Sequence, residues 1–248
     1  MKQQMSQFET IIYEKKDGIG FVTLNRPQFL NAYNIQMRDE LFAVLGAIKD
    51  DDDVRVVIFR AAGDKAFCAG ADLTEFLTAP LPVFARQIRF DRDVWGLFLS
   101  LPQPLIAALH GYVLGSGIEI ALCCDIRLAS EDVRFGLPEV NLGIIPAAGG
   151  TQTLPRTIGR AETLEMFLTG KWLTAPEAYR HKLVNRIVAR ADLWPAAEQL
   201  AGKILCYNNF AVTNAKQAIV RGSDMSLAEG LALESRLSRL VIMKQTQT

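Results

Sequence analysis

The chain is 248 residues long, half of them apolar, with 27 basic and 27 acidic side chains and a formal net charge of zero. Such a length and composition suit a globular protein with one large core, and the balanced charge argues against a long-range field that recruits nucleic acid or an anionic membrane. The four cysteines, Cys68, Cys123, Cys124 and Cys206, form no CxxC pair and have no paired spacing with His110 or His181, which argues against zinc and against a disulfide framework.

The opening stretch, MKQQMSQFETIIYEKK, has neither an apolar run nor an Arg/Ser-rich amphipathic character, so no secretory signal or transit peptide is expected, and a reducing, cytoplasmic setting fits best. Ile11 to Leu24 reads as two strands around an Asp17-Gly18 turn. A helix is expected from about Asn34 to Lys49, because Met37, Leu41, Val44, Leu45 and Ile48 recur at helical spacing; it runs into the Asp50 to Asp53 cluster, read as a solvated loop. Val54 to Ala61 is a β-branched, buried strand. A further helix is expected around Phe84 to Leu99, then strands at Leu105 to Leu109 and Ile126 to Ala129, each followed by a loop bearing glycine or proline.

Leu105 to Cys124 is apolar enough to attract a hydropathy scan. It holds His110, Glu119 and three glycines, and a carboxylate near mid-span is costly in lipid, so the segment reads as protein interior and no membrane span is expected. Beyond Thr157 the pattern turns helical, at Ala161 to Thr169, Ala175 to His181, Asp192 to Cys206, Phe210 to Arg221 and Ser226 to Leu240, with Val184 to Val188 as the one strand. The expected organisation is an α/β core over residues 1–190 and a helical region over 191–248, without internal repeats or a low-complexity linker.

Three segments combine small residues with a polar group in apolar surroundings. In AFCAGADL, Ala66 to Leu73, small side chains leave backbone N–H groups open and Asp72 stands where a helix would begin; such donors suit a developing oxyanion, although a tight strand-to-helix turn explains the segment as well. In GYVLGSGIEIALCCD, Gly111 to Asp125, glycines precede a short apolar helix carrying Glu119. Ile118, Ile120, Ala121 and Leu122 leave that carboxylate few polar faces, and burial moves a carboxyl toward the range useful for proton transfer. In FGLPEVNLGIIPAAGGTQTLPR, Phe135 to Arg156, Glu139 is a second isolated carboxylate, and Gly149-Gly150-Thr151 reads as a loop entering a helix. That double glycine lacks the spacing of a nucleotide-phosphate loop.

In this order, NRPQFLNA, AFCAGADL, GSGIE, LPE and GIIPAAGGTQ resemble the crotonase (enoyl-CoA hydratase/isomerase) family over roughly Thr10 to Leu240. The resemblance implies an α/β fold, a spiral of ββα units with a helical C-terminal trimerisation region, and a homotrimer or dimer of trimers. It implies an acyl-CoA thioester substrate and no separate cofactor, since coenzyme A is part of the substrate. The thioester oxygen would sit between the N–H groups of Ala71 and Ser116, and Glu119 and Glu139 would share a water, with Glu139 supplying the α-proton. Coenzyme A would run over Ala69, Asp72, Leu73 and Gly115, with Arg26 or Lys65 near its phosphates. Residues from Glu75 to Trp95, including Phe76, Phe84 and Ile88, would line the acyl pocket; the aromatics hint at a bulky or cyclic group, and core packing explains them equally well.

The sequence departs from the family pattern at Ser116 and Ala147, where glycine is common, and ends in KQTQT where most members continue into a further helix and a basic segment. Hydration of an enoyl-CoA is the leading reading because both glutamates stand in their motifs. Isomerases are the nearest alternative; hydrolases, decarboxylases and dehalogenases reuse the same oxyanion hole. A non-catalytic acyl-CoA-binding or RNA-binding relative is the alternative of a different class, against which the two glutamates and the lack of a dense Lys/Arg cluster argue.

Overall fold

The structure, a computed structural model, describes residues 8–76 and 92–246. Strands β1 (Ile11–Lys16) and β2 (Ile19–Leu24) form the expected antiparallel hairpin, pairing Lys16 with Ile19 across the turn. Asp17 and Gly18 both take positive φ, 51° and 80°, as a two-residue Asp-Gly hairpin turn requires. Helix α1 (Ile35–Asp50) starts where Asn34 accepts the Met37 N–H at 2.9 Å, and it buries the anticipated stripe of Met37, Leu41, Val44, Leu45 and Ile48. The aspartate run after it is solvated, as expected, with Asp50, Asp52 and Asp53 exposed, and Lys15 bridges Asp51 and Asp53 on its surface at 2.8 and 3.3 Å.

A repeating pattern follows. Strand β3 (Val56–Ala61) leads to β4 (Ala66–Cys68) and the short helix α2 (Leu73–Phe76). After α3 (Val94–Ser100), β5 (Leu105–Leu109) leads to β6 (Tyr112–Leu114) and α4 (Ser116–Cys123). Then β7 (Ile126–Ser130) leads to β8 (Arg134–Gly136), a 3-10 helix over Pro138–Leu142 and α5 (Gly150–Ile158). The chain continues through α6 (Arg160–Thr169), β9 (Leu173–Thr174), α7 (Ala175–Arg180), β10 (Arg186–Val188), α8 (Leu193–Leu205), α9 (Asn209–Gly222) and α10 (Leu227–Gln245).

In the units that begin at β3, β5 and β7 the first strand joins a six-stranded sheet, ordered β1-β2-β3-β5-β7-β10, and the second joins a four-stranded sheet, ordered β4-β6-β8-β9. The spiral of ββα units is thus the observed architecture. Strands of the large sheet are parallel from β2 to β10, and their alternating side chains divide between two cores. Val57, Phe59, Leu105, Ala107 and Leu109 face α1 and the small sheet, whereas Val56, Ile58, Ile106, Ala108 and Leu128 face Leu193, Ala197, Leu200 and Ala201 of α8. Strands covered on both faces show as continuous apolar runs, which is why these were legible in the sequence.

The small sheet was not anticipated. Strands of two or three residues carry no period to detect, and β9 overturns the expectation that Val184 to Val188 is the only strand after Thr157. Of the helix expected over Phe84 to Leu99, α3 is the part within the described residues; Phe84 and Ile88 lie outside them. Leu105 to Cys124 folds as β5, β6 and α4 in the interior, and among the described residues no helix is long and apolar enough to cross a membrane.

Candidate active site

The three chemistry-bearing segments meet because each leaves the C-terminal end of a strand in the small sheet. Strands β4, β6 and β8 are adjacent and parallel, so Ala69 to Asp72, Gly115-Ser116 and Pro138-Glu139 emerge side by side. They wall a cavity of about 1120 Å³.

Two backbone N–H groups there have no acceptor. Tyr33 forms an isolated parallel bridge to Ala71 by donating to the Gly70 carbonyl (2.8 Å) and accepting from the Asp72 N–H (2.9 Å). In such a bridge the middle residue turns its own amide away, so the Ala71 N–H is left free. Ser116 is the first residue of α4, where amides have no partner within the helix. Among the described residues no hydrogen bond engages either group.

Glycines bring these segments together. Gly70 (φ 104°) and Gly115 (φ 47°) adopt backbone shapes that other residues resist, and a methyl on Gly70 would lie 3.3 Å from the Leu114 carbonyl oxygen. A methyl on Gly117 would lie 2.3 Å from the Cys68 carbonyl oxygen, so α4 packs against the end of β4 with no room for a side chain.

Glu119 is 3% exposed, as expected for a carboxylate on a helix whose eight residues are all buried. Its Oε1 accepts the Ala148 and Gly150 N–H groups at 3.0 and 2.9 Å. The loop ahead of α5 and that helix's first residue therefore hold the carboxyl in one orientation. Glu139 stands on the 3-10 helix after β8, with Oε1 over Gly115, where an added methyl would come within 2.8 Å of it. Its Oε2 is buried and has no hydrogen-bond partner among the described residues. Burial, then the charge of Glu119, pushes the Glu139 carboxyl up to about 7, against a counteracting bond to its own backbone.

That shift has a consequence for stability. A carboxyl whose folded pKa is raised contributes stability that is present below the unfolded value of 4.5 and is lost as pH rises through about 7. The Glu139→Gln chain cannot ionise there, so its melting temperature relative to the parent should climb between pH 4.5 and 7 and then level. A difference that stays flat across this window would show that the site does not hold the proton.

Of the other residues singled out in the sequence, Ala69, Asp72, Leu73 and Gly115 line the cavity, as do Glu75 and Trp95. Arg26 does not. Its guanidinium donates to the Ala32 carbonyl (2.6 Å) and to Asp72 Oδ2 (3.0 Å), bracing the wall from behind. The Thr74 hydroxyl, and then Arg26, hold the Asp72 carboxyl below the usual carboxylate range. Lys65 is exposed and precedes β4, at the opposite end of that strand from the cavity.

Sequence reasoning missed Tyr33, Arg38 and Arg92, which also line the cavity, and the amides that hold Glu119. The helix start after Gly149-Gly150 was the available signal for those amides; no local pattern pointed to Tyr33 or the arginines.

Known proteins share this arrangement of elements. Residues 14–247 match the family model described as enoyl-CoA hydratase/isomerase. The short-chain-enoyl-CoA hydratase of Clostridium acetobutylicum is 40% identical over 229 residues, covering 92% of this chain and 88% of the relative. The crotonyl-CoA hydratase of Syntrophomonas wolfei is 36% identical over 241 residues, covering 97% and 92%. A crystal structure of enoyl-CoA hydratase from Bacillus anthracis superposes with a TM-score of 0.89 at 38% identity, covering 95% of this chain and 92% of its own. With a ββα spiral, two unpaired amides and two glutamates in one cavity, and a family match over nearly its whole length, the chain belongs to the enoyl-CoA hydratase/isomerase (crotonase) family.

Proposed function

We propose that this chain is an enoyl-CoA hydratase, and the observation that carries the reading is the presence of both Glu119 and Glu139 in the cavity that contains the Ala71 and Ser116 amides. The thioester oxygen accepts those two N–H groups. Glu119, oriented by the Ala148 and Gly150 amides, takes a proton from water as the water oxygen bonds to the β-carbon. The electron pair of the double bond moves toward the thioester, and the negative charge gathers on the oxygen facing the amides. Glu139, with a carboxyl pushed up to about 7, gives its proton to the α-carbon. Water has then added across the double bond, and the pair has exchanged the carboxyl that carries its proton.

The pantetheine arm runs along Ala69, Asp72, Leu73 and Gly115, all on the cavity wall. An isomerase would need one acid/base group, and the second glutamate favours hydration. Loss of the conjugated-thioester absorbance of crotonyl-CoA, with 3-hydroxybutyryl-CoA as product, tests the reading; binding without that loss sinks it.

The active unit in this reading is a homotrimer or dimer of trimers. Supporting it, α9 buries none of its residues and α10 buries only Leu233 and Leu237, while Ile219, Leu227 and Ile242 are 69%, 79% and 57% exposed. Apolar surface on that scale calls for a covering partner. Light scattering should return three or six times the chain mass, and a monomer at micromolar concentration would overturn the assembly.

A further inference from the structure

Arg26 does not line the cavity, yet its side chain is only 12% exposed. Taking a guanidinium out of water is costly unless its donors are used. Here they reach both sides of one of the two free amides. Nη1 donates to the Ala32 carbonyl at 2.6 Å and Nη2 to Asp72 Oδ2 at 3.0 Å, and the guanidinium lies 4.7 Å from the centroid of the Phe29 ring.

The Ala32 carbonyl and the Tyr33 N–H belong to one peptide group, and the Gly70 carbonyl and the Ala71 N–H to another. Peptide groups are planar and trans, so in each the N–H points opposite to the C=O. The Tyr33 N–H donates to the Gly70 carbonyl at 2.8 Å. A continuous chain of hydrogen bonds therefore runs from Arg26 Nη1 through the Ala32-Tyr33 peptide and the Gly70-Ala71 peptide to the free Ala71 N–H. Where Arg26 holds the first carbonyl fixes the direction of the last N–H, and bonds in such a chain polarise one another. The other arm of the guanidinium grips Asp72, on the far side of Ala71, so one planar fork restrains both flanks.

The turn that carries Arg26 is itself tied down. The Asn31 N–H donates to the Arg26 carbonyl (2.9 Å), the Arg26 N–H donates to Asn31 Oδ1 (2.8 Å), and Asn31 Nδ2 donates to the Ala62 and Ala66 carbonyls, each at 2.9 Å. Leu30 and Asn31 both take positive φ, 52° and 55°, a backbone shape that residues other than glycine resist. Such strain persists only where the surrounding bonds over-determine it, and here it turns the chain so that Tyr33 pairs with Ala71.

We propose that Arg26 is a positioning residue for the oxyanion hole, aiming the Ala71 N–H at the thioester oxygen through two peptide groups and holding Asp72 beside it. The inference rests on the placement of that oxygen under the hydratase reading.

The test reads the hydrogen bond itself. Difference infrared spectroscopy on bound butyryl-CoA, isotope-labelled at the thioester carbonyl and too saturated to be hydrated, reports how strongly that oxygen is held. The parent chain should lower the carbonyl stretch below its value in water. Arg26→Gln should return it most of the way, and Arg26→Lys, which keeps the charge but reaches only one of the two acceptors, should fall between. In the same order kcat on crotonyl-CoA should drop, by about 10- to 100-fold for Arg26→Gln with KM within about 3-fold of the parent, because the amide matters most as negative charge develops. A stretch that stays at the parent value overturns the positioning role, and Arg26→Lys supplies that answer if Arg26→Gln does not fold. If the stretch is unmoved and the variants only raise KM, an effect that vanishes on N-acetylcysteamine thioesters, Arg26 serves a coenzyme A phosphate and the inference falls. A parent chain that lowers the stretch but hydrates no enoyl-CoA removes the hydratase reading and leaves the role of Arg26 standing; a parent chain that leaves the stretch at its value in water removes that role.

Discussion

The Glu139→Gln chain is expected to fold and to bind an enoyl-CoA, and to hydrate it about 100- to 10,000-fold more slowly than the parent, the usual range for loss of a positioned acid or base. The amide keeps the shape of the side chain over Gly115 and removes only the exchangeable proton of the carboxyl. Glu119→Gln should fall within the same range for the opposite reason, since it can no longer accept a proton from water. Its pH profile supplies a sharper discrimination. Glu139 must carry a proton to act, so the rate should fall as pH rises through about 7. Part of the upward push comes from the charge of Glu119, so in the residual activity of Glu119→Gln the falling limb should move to lower pH. A limb that stays in place would mean that the two carboxyls do not sense each other. Retention of most activity by either variant would rule out the paired role.

The second large effect is expected from a residue without a side chain. In Gly117→Ala the new methyl would sit 2.3 Å from the Cys68 carbonyl oxygen, where 3.4 Å or more is ordinary contact, so α4 must move by about 1 Å relative to β4. Overpacking of this kind costs about 1 to 3 kcal/mol of stability. The functional cost is larger, because the same shift separates the Ser116 amide from that of Ala71. A misplacement of about 1 Å in a catalytic constellation reduces turnover on the order of 100-fold. Circular dichroism and kcat on crotonyl-CoA, measured on the soluble fraction, separate the two effects. A folded Gly117→Ala chain with full kcat would show that the spacing of the two amides is not what the glycine preserves.

What could be read from the chain alone has a common physical origin. The stripe on α1, the runs of β3 and β5 and the Asp17-Gly18 turn are local consequences of side-chain spacing, and each appears close to where that spacing placed it. The same holds for Glu119, whose apolar neighbours on four sides of a short helix left burial as the dominant outcome. The residues of the three motifs were legible one segment at a time, and their combination was legible only through resemblance to a family.

Tertiary structure decided the rest. The small sheet consists of strands too short to have a period, yet their parallel pairing brings residues 71, 116 and 139 to one edge. Which amides stay free depends on a bridge between Tyr33 and Ala71, residues far apart in the chain. The upward push on Glu139 arises from burial and from a second carboxyl, neither of which its neighbours in sequence specify. Nothing local marks Tyr33 or Arg38 until the cavity forms against them. Spacing along a chain encodes which side of an element is apolar; which elements then face one another is set by packing between distant segments, and the chemistry of this site depends on that packing.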